Sequence, residues 1–200
     1  MPDFVDPYFD EAIGDLRNLL GAKSSEELKK LEAQIVFANE IELESVIVAR
    51  TNDLAELLVL HKHLFGNVYD WAGKVRTVDI KKNADGAEHF LIVSKITDAA
   101  NYVFKELAKE NFLRDLPVDV FTERLAYFYD QLNYIHPFRE GNGRAQRIFS
   151  VRVAHDAGYE INWDQVVGDE NDEASRIAAE KMDLSALKLM FAKIVSPLDR

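Results

Sequence analysis

Twelve consecutive residues, HPFREGNGRAQR from His136 to Arg147, carry one histidine, one acid, two glycines around an asparagine, and three arginines. Pro137 disfavours the α region for His136, so a preceding helix should end there and leave the imidazole at its exit. Gly141 and Gly143 allow backbone conformations that other residues rarely adopt, and they let a ligand approach peptide N–H groups closely. A helix resuming near Asn142 would present first-turn N–H groups without internal partners, which is an anion site. Arg144 and Arg147 are three apart and project from one face, where guanidinium groups extend such a site to further phosphate oxygens. Glu140 would repel phosphate unless a cation lay between them, and magnesium typically takes one or two protein carboxylates plus substrate phosphates. His136 adds a base whose unperturbed pKa is about 6.5. Together these residues suggest phosphoryl or nucleotidyl transfer to a hydroxyl.

The same residue types also suit a helix junction with no ligand: a capping histidine, a flexible turn, and arginines paired with the chain's many carboxylates. Residue types alone leave both readings open. The stretch is not a Walker loop, since GK[ST] is missing, and not a Rossmann turn, since no strand precedes it.

The elements around the stretch are mostly helical. Ser24 and Glu27 have capping-box spacing before SEELKKLEAQIVFANEIELESVIVA, a long helix candidate. In DLAELLVLHKHLF, the stripe Leu54, Leu57, Leu58, His61, Leu64, Phe65 follows helical period. His61 on that stripe is expected to be a hydrogen-bonded core histidine. His61 and His63 resemble a metal pair, but residues two apart on a helix point different ways. Helices are expected at about 94–113 and 117–135, with Pro117 as a first helical residue. Phe121, Leu125, Phe128, Leu132 and Ile135 keep one face along the second of these, a central bundle element that delivers the chain to His136. After the stretch a helix should stop at Gly158, followed by helices at about 169–181 and 184–195. The acidic run 169–173 solvates a helix start and suits its dipole. Only residues 74–93 break the pattern: alternation, then Asn83-Ala84-Asp85-Gly86, then HFLIV predict a β-hairpin.

The 200 residues favour one domain, with ordinary hydrophobic and charged fractions of 48% and 30%. A net charge of −11 disfavours sequence-independent nucleic-acid binding and anionic membranes. No cysteine is present, so disulfides and thiolate zinc sites are excluded. The opening residues do not look like a secretory leader and no run approaches roughly 18 apolar residues, so the expected location is the cytoplasm.

HPFREGNGRAQR fills every fixed position of the signature His-Pro-Phe-x-(Asp/Glu)-Gly-Asn-Gly-Arg-x-x-Arg, and the chain therefore resembles the Fic (filamentation induced by cAMP) family. Upstream, HKHLFGNVYDWAGKVRTVDI is similar to the family's His-x-x-Leu-Phe…Tyr-x-Trp-Ala-Gly-x-x-Arg segment, ASRIAAEKMDLSALKLMF resembles its last helices, and DPYFDEAIGDLRNLLG is similar to the opening of bacterial Fic toxins. The resemblance implies an all-α Fic-type helical bundle with a small β-hairpin flap, one domain over 1–200 with its core at about 50–160. It implies transfer of AMP from ATP to a hydroxyl side chain of a target protein. His136 would deprotonate that hydroxyl. Glu140 would hold Mg²⁺ across the α- and β-phosphates. Gly141, Asn142 and Gly143 would form the anion hole. Arg144 and Arg147 would bind phosphate, Arg147 aligning the γ-phosphate. Phe138 would anchor the loop in the core, and the hairpin would be the flap that registers a target segment by strand addition. Gly143, where phosphate-transferring relatives carry Lys, keeps the adenylylating pattern.

Many members inhibit themselves through a helix bearing (Ser/Thr)-x-x-x-Glu-(Gly/Asn). No Ser or Thr here has Glu four residues later; Ser175 reaches Ala179, with Glu180 one step too far. The resemblance thus implies a separate small antitoxin that inserts its Glu toward Arg147, and, from toxins of this class, the ATPase subunits of DNA gyrase and topoisomerase IV as the target. The other readings are a non-catalytic nucleotide- or protein-binding module, an enzyme that removes AMP, and a host-targeted effector domain. Among the remaining residues, Tyr69 and Trp71 are expected to pack at the flap's base. Trp163 is expected near an adenine pocket or in the core, and Asn171 is a candidate adenine contact. Lys81 and Lys82 on the hairpin are solvating residues or recruit an acidic target.

Overall fold

A computed structural model describes residues 6–80 and 90–198. Among these residues seven α-helices form the body: α1 (Ser25–Leu43), α2 (Leu54–Phe65), α3 (Ile96–Lys109), α4 (Val118–Ile135), α5 (Asn142–Ala157), α6 (Glu170–Lys181) and α7 (Ser185–Ile194). Two short antiparallel pairs complete it: β1 (Phe9–Asp10) with β2 (Asp15–Leu16), and β3 (Tyr159–Ile161) with β4 (Val195–Pro197). None of the described helices is long and apolar enough to cross a membrane.

Helix α4 is the hub. Its predicted face, Phe121, Leu125, Phe128, Leu132 and Ile135, is wholly buried, and α3, α5, α6 and α7 all pack against it. Helix α2 lies on the far side of α5 and carries α1 on its outer surface. A buried ion pair joins α2 to α5: Glu56 Oε1 lies 2.5 Å from Arg152 Nε, and Arg152 Nη2 donates to the Val48 carbonyl at 2.9 Å. The second oxygen of Glu56 accepts from the Asn52 N–H at 2.7 Å, so the buried carboxylate is satisfied on both sides.

Several boundaries differ from the sequence reading, each for a local reason. Helix α1 begins as expected, with Ser24 Oγ accepting from the Glu27 N–H and the Glu27 carboxylate accepting from the Lys23 N–H at 2.7 Å. It stops at Leu43, although the apolar pattern runs further. Its last turn has no basic residue, and Glu40, Glu42 and Glu44 stand at the negative end of its dipole. Helix α3 ends at Lys109 rather than near 113: Asn111, Phe112 and Leu113 take positive φ, a turn that brings Leu113 into the core. Pro117 is the N-cap of α4, one place before the first helical residue. Gly158 caps α5 with φ 90°, as expected.

The segment 74–93 is corrected in part. Its turn at 83–86 and the start of its second arm lie outside the described residues. The described flanks, 74–80 and 90–93, form no strand. Their main chains exchange one bond, Phe90 N–H to the Ile80 carbonyl at 3.2 Å. Other N–H groups of the flanks bond to the end of α4 and the loop after it: the Arg76 N–H donates to the Pro137 carbonyl at 2.8 Å and the Leu91 N–H to the Tyr134 carbonyl at 3.1 Å. Backbone groups engaged there are not available to a ladder.

Candidate functional site

The α4–α5 connection starts at His136, which ends α4 in the left-handed region with φ 47°. The proline effect ends the helix there but does not hold the residue extended. The loop then folds on the Asn142 side chain: Oδ1 accepts from the Phe138 N–H and Nδ2 donates to the Phe138 carbonyl, both at 2.8 Å. Asn142 is buried, its side chain turned into the loop. Phe138 is buried against His61, ring centroids 3.7 Å apart, and so anchors the loop from beneath.

His61 itself is fully buried with both nitrogens engaged. The Gly73 N–H donates to Nδ1 at 2.8 Å, so the proton sits on Nε2, which donates to the Glu140 carbonyl at 2.9 Å. Burial drives its pKa down to about 4 against the opposing pull of the Glu140 carbonyl. It is thus the hydrogen-bonded core histidine expected, and its bond to the loop was not foreseen. His63 turns elsewhere, toward the Asn39 carbonyl at 3.1 Å.

The glycines play different parts. Gly141 has φ 80°, and a Cβ there would lie 2.3 Å from the Phe65 ring. Gly143 is an ordinary helical residue whose Cβ would meet nothing within 4 Å. Its backbone does not require glycine, contrary to the sequence reading; the missing side chain leaves the first turn of α5 uncovered instead.

His136, Glu140, Gly141, Asn142 and Gly143 share one wall of a cavity of about 460 Å³. The opposite wall is α6, through Asn171, Asp172, Ser175 and Arg176, with Tyr129 and Asn133 of α4 and Phe90 completing it. Sequence reasoning singled out Asn171 but missed Asp172, Ser175 and Arg176; their helical spacing with Asn171 was the available signal. Asn171 Oδ1 accepts from the Tyr129 hydroxyl at 3.0 Å. The His136 Nδ1 lies 3.1 Å from the Asn133 carbonyl. A carbonyl only accepts, so this contact places the ring proton on Nδ1 and leaves the Nε2 lone pair as the acceptor. The Phe90 ring stacks on the imidazole at 3.6 Å between centroids.

Glu140 is half-exposed at the cavity edge. Its Oε1 accepts from the Gly141 N–H at 2.8 Å and lies 3.3 Å from Arg144 Nη2. No cluster of three or more metal-ligating side chains exists among the described residues. A single carboxylate beside bare helix N–H groups fits a magnesium ion that arrives with phosphate oxygens, and does not fit a cation held by protein alone.

The two arginines turn from this cavity toward a second one, of about 480 Å³, between α5, the end of α1 and Trp163. Arg144 is held by Glu32 of α1 at 2.6 Å, with its guanidinium 4.6 Å over the Phe65 ring. Glu32 also accepts from the Tyr69 hydroxyl, whose pKa burial and this carboxylate push well up. Arg147 makes no ion pair among the described residues and lies 5.8 Å over Trp163. Trp163 lines this second cavity and packs against Tyr129 and Phe191. Tyr69 and Trp71 stack on each other in the core, 4.4 Å apart.

Residues 51–154 match the model of the Fic/DOC family. Over 193 residues the chain is 34% identical to a probable protein adenylyltransferase Fic of Escherichia coli (strain K12), covering 96% of this chain and 92% of that protein. It is 40% identical over 170 residues to the protein adenylyltransferase VbhT of Bartonella schoenbuchensis, 85% of this chain but only 35% of that longer protein. Among solved structures, the N-terminal Fic domain of a putative cell filamentation protein from Bartonella quintana, with bound ADP, superposes with a TM-score of 0.88. The two are 25% identical, over 95% of this chain and 94% of that one.

Proposed function

Since the chain belongs to the Fic/DOC family, we infer that it is a protein adenylyltransferase, which moves AMP from ATP to a hydroxyl side chain of another protein. One observation carries this reading: the imidazole of His136 and the first turn of α5 line the same cavity. The adenylyltransferase names of two relatives and the ADP in a similar fold support it.

In this reading the target's hydroxyl oxygen forms a bond to the α-phosphorus. The bond from that phosphorus to the bridging oxygen breaks, and pyrophosphate leaves. The hydroxyl proton passes to His136 Nε2, while the Asn133 carbonyl holds the opposite side of the ring. The N–H groups of Asn142, Gly143 and Arg144 have no partners within the helix and stabilise phosphate charge where it develops. Arg147 binds the far end of the triphosphate, and Arg144 joins it by exchanging Glu32 for phosphate. A magnesium ion held by Glu140 neutralises phosphate charge when bound. Asn171 and Ser175 on the opposite wall face the nucleoside.

Inhibition is supplied in trans, by a small antitoxin whose Glu reaches Arg147. The second cavity beside that arginine, and the exposed Phe37 and Ile41 on the neighbouring helix, support this placement. The target is the ATPase subunit of DNA gyrase or topoisomerase IV, a reading that rests on resemblance to bacterial Fic toxins. Target docking falls to segment 74–93.

ATP labelled at the α or the γ position, incubated with magnesium and bacterial lysate, tests the chemistry. The α label should appear on protein. Label from the γ position would mean phosphate transfer and overturn the reading. Gyrase and topoisomerase subunits as purified acceptors test the target, and production of the chain alone in bacteria should arrest growth.

A further inference from the structure

Arg76 is among the largest side chains fully buried in the protein, and its guanidinium is completely enclosed. Burying such a charge is costly unless its donors are met. Three carbonyls meet one donor on each nitrogen, and their positions are the informative point. Nη1 donates to Val78 at 2.8 Å, on the outgoing flank of segment 74–93, and Nη2 donates to Leu91 on the returning flank. Nε donates at 2.9 Å to the carbonyl of His136. The Arg76 N–H adds a bond to the next carbonyl, that of Pro137. The nearest carboxylate, on Asp79, is 3.8 Å from Nη1 and more than half exposed. Its Oδ1 accepts from the Val93 N–H at 2.7 Å, again joining the two flanks.

We propose that Arg76 is a positioning residue that couples target docking at the flanks 74–80 and 90–93 to the placement of His136. This rests on the adenylyltransferase reading above. One planar group with fixed donor directions sets both flank carbonyls and the His136 carbonyl. A target that shifts the flanks therefore shifts the peptide carrying the base. His136 sits at φ 47°, a conformation a non-glycine residue keeps only when its surroundings hold it, and the Arg76 bond to its carbonyl is one of the contacts that do so, with the His136 N–H bond to the Leu132 carbonyl. A displacement of about 1 Å at a reacting group costs up to about 100-fold in rate.

The test compares wild-type protein with Arg76→Lys, which keeps the charge but loses the fork. Transfer of α-labelled AMP to lysate protein should fall about 100-fold in turnover, with KM for ATP within about threefold. The His136 ring resonances, assigned with His136→Ala, should shift in Arg76→Lys. A lysine variant with wild-type turnover and an unmoved His136 signal overturns the proposal; a wild-type protein that labels nothing overturns the underlying reading instead. If the variant does not fold, exchange of the Arg76 Nε–H in wild-type protein decides. Protection far beyond that of surface arginines, with a shift shared by the His136 ring when lysate protein is added, supports the coupling. Exchange as fast as at the surface, or shifts that are independent, overturns it.

Discussion

The imidazole of His61 lies 2.9 Å from the carbonyl oxygen of Glu140 and donates its Nε2 proton there, because the Gly73 N–H already holds Nδ1. A core histidine on α2 is therefore the floor of the loop that carries the proposed metal ligand. Acceptance at Nδ1 requires a neutral ring, and the two bonds together fix one tautomer.

That requirement gives stability a pH dependence. His61 is lowered from an ordinary 6.5 to about 4 in the folded chain, chiefly by burial. The unfolded state therefore binds the proton more readily between those values, so stability is complete above about pH 6.5 and falls as pH drops toward 4. The loss attributable to this residue is on the order of 3 kcal/mol. Denaturant melts of wild type and His61→Gln across that range should differ in slope, the wild type falling more steeply. Parallel curves would mean that His61 does not stay neutral in the fold.

The two glycines separate stability from binding. Gly141→Ala forces a Cβ into the Phe65 ring at positive φ and should cost on the order of 1–3 kcal/mol, read as a lowered midpoint. Gly143→Ala meets open space in a helix and should gain about 0.5–1 kcal/mol. The added methyl covers the first turn of α5, so the same variant should bind ATP more weakly by calorimetry. A stabilised variant with unchanged affinity would show that phosphate does not use this turn.

The arginines should also part company. Arg147 is not committed to an ion pair among the described residues, so Arg147→Ala should leave the melting midpoint nearly unchanged. Its ATP affinity should drop about 10- to 100-fold, the value of one charge-assisted contact. Arg144→Ala strands Glu32 and uncovers Phe65, and should lower the midpoint as well as the affinity. Equal midpoints for the two variants would argue against the Glu32–Arg144 pair.

The sequence was most legible where periodicity and punctuation agree. The buried face of α4 and the Gly158 cap could be read from spacing alone, and the signature stretch announced a loop at a helix start. Three features were not readable, for physical reasons. The short pair β3–β4 joins residues over thirty positions apart, a match that no local pattern carries. The flanks of 74–93 alternate like strands, yet their N–H groups are taken by carbonyls near His136. Glu32 looks like a surface charge in sequence, the family segment containing Arg76 does not say what that arginine holds, and only the fold reveals that their partners are Arg144 and the loop carbonyl. The signature contains the residues 136 and 140–143 that meet at the cavity, but does not tell that Arg144 and Arg147 line a second one, that Asn142 turns its side chain inward or that Gly143 is dispensable to the backbone.

The central claim is that His136 is the base for AMP transfer, and His136→Ala tests it most directly when binding and transfer are measured on the same preparation. The account predicts ATP affinity by calorimetry within a few-fold of wild type, and transfer of α-labelled AMP to protein reduced by about 10²–10⁴-fold. Transfer at the wild-type rate in that variant, with the modified hydroxyl confirmed by peptide mapping, would contradict it.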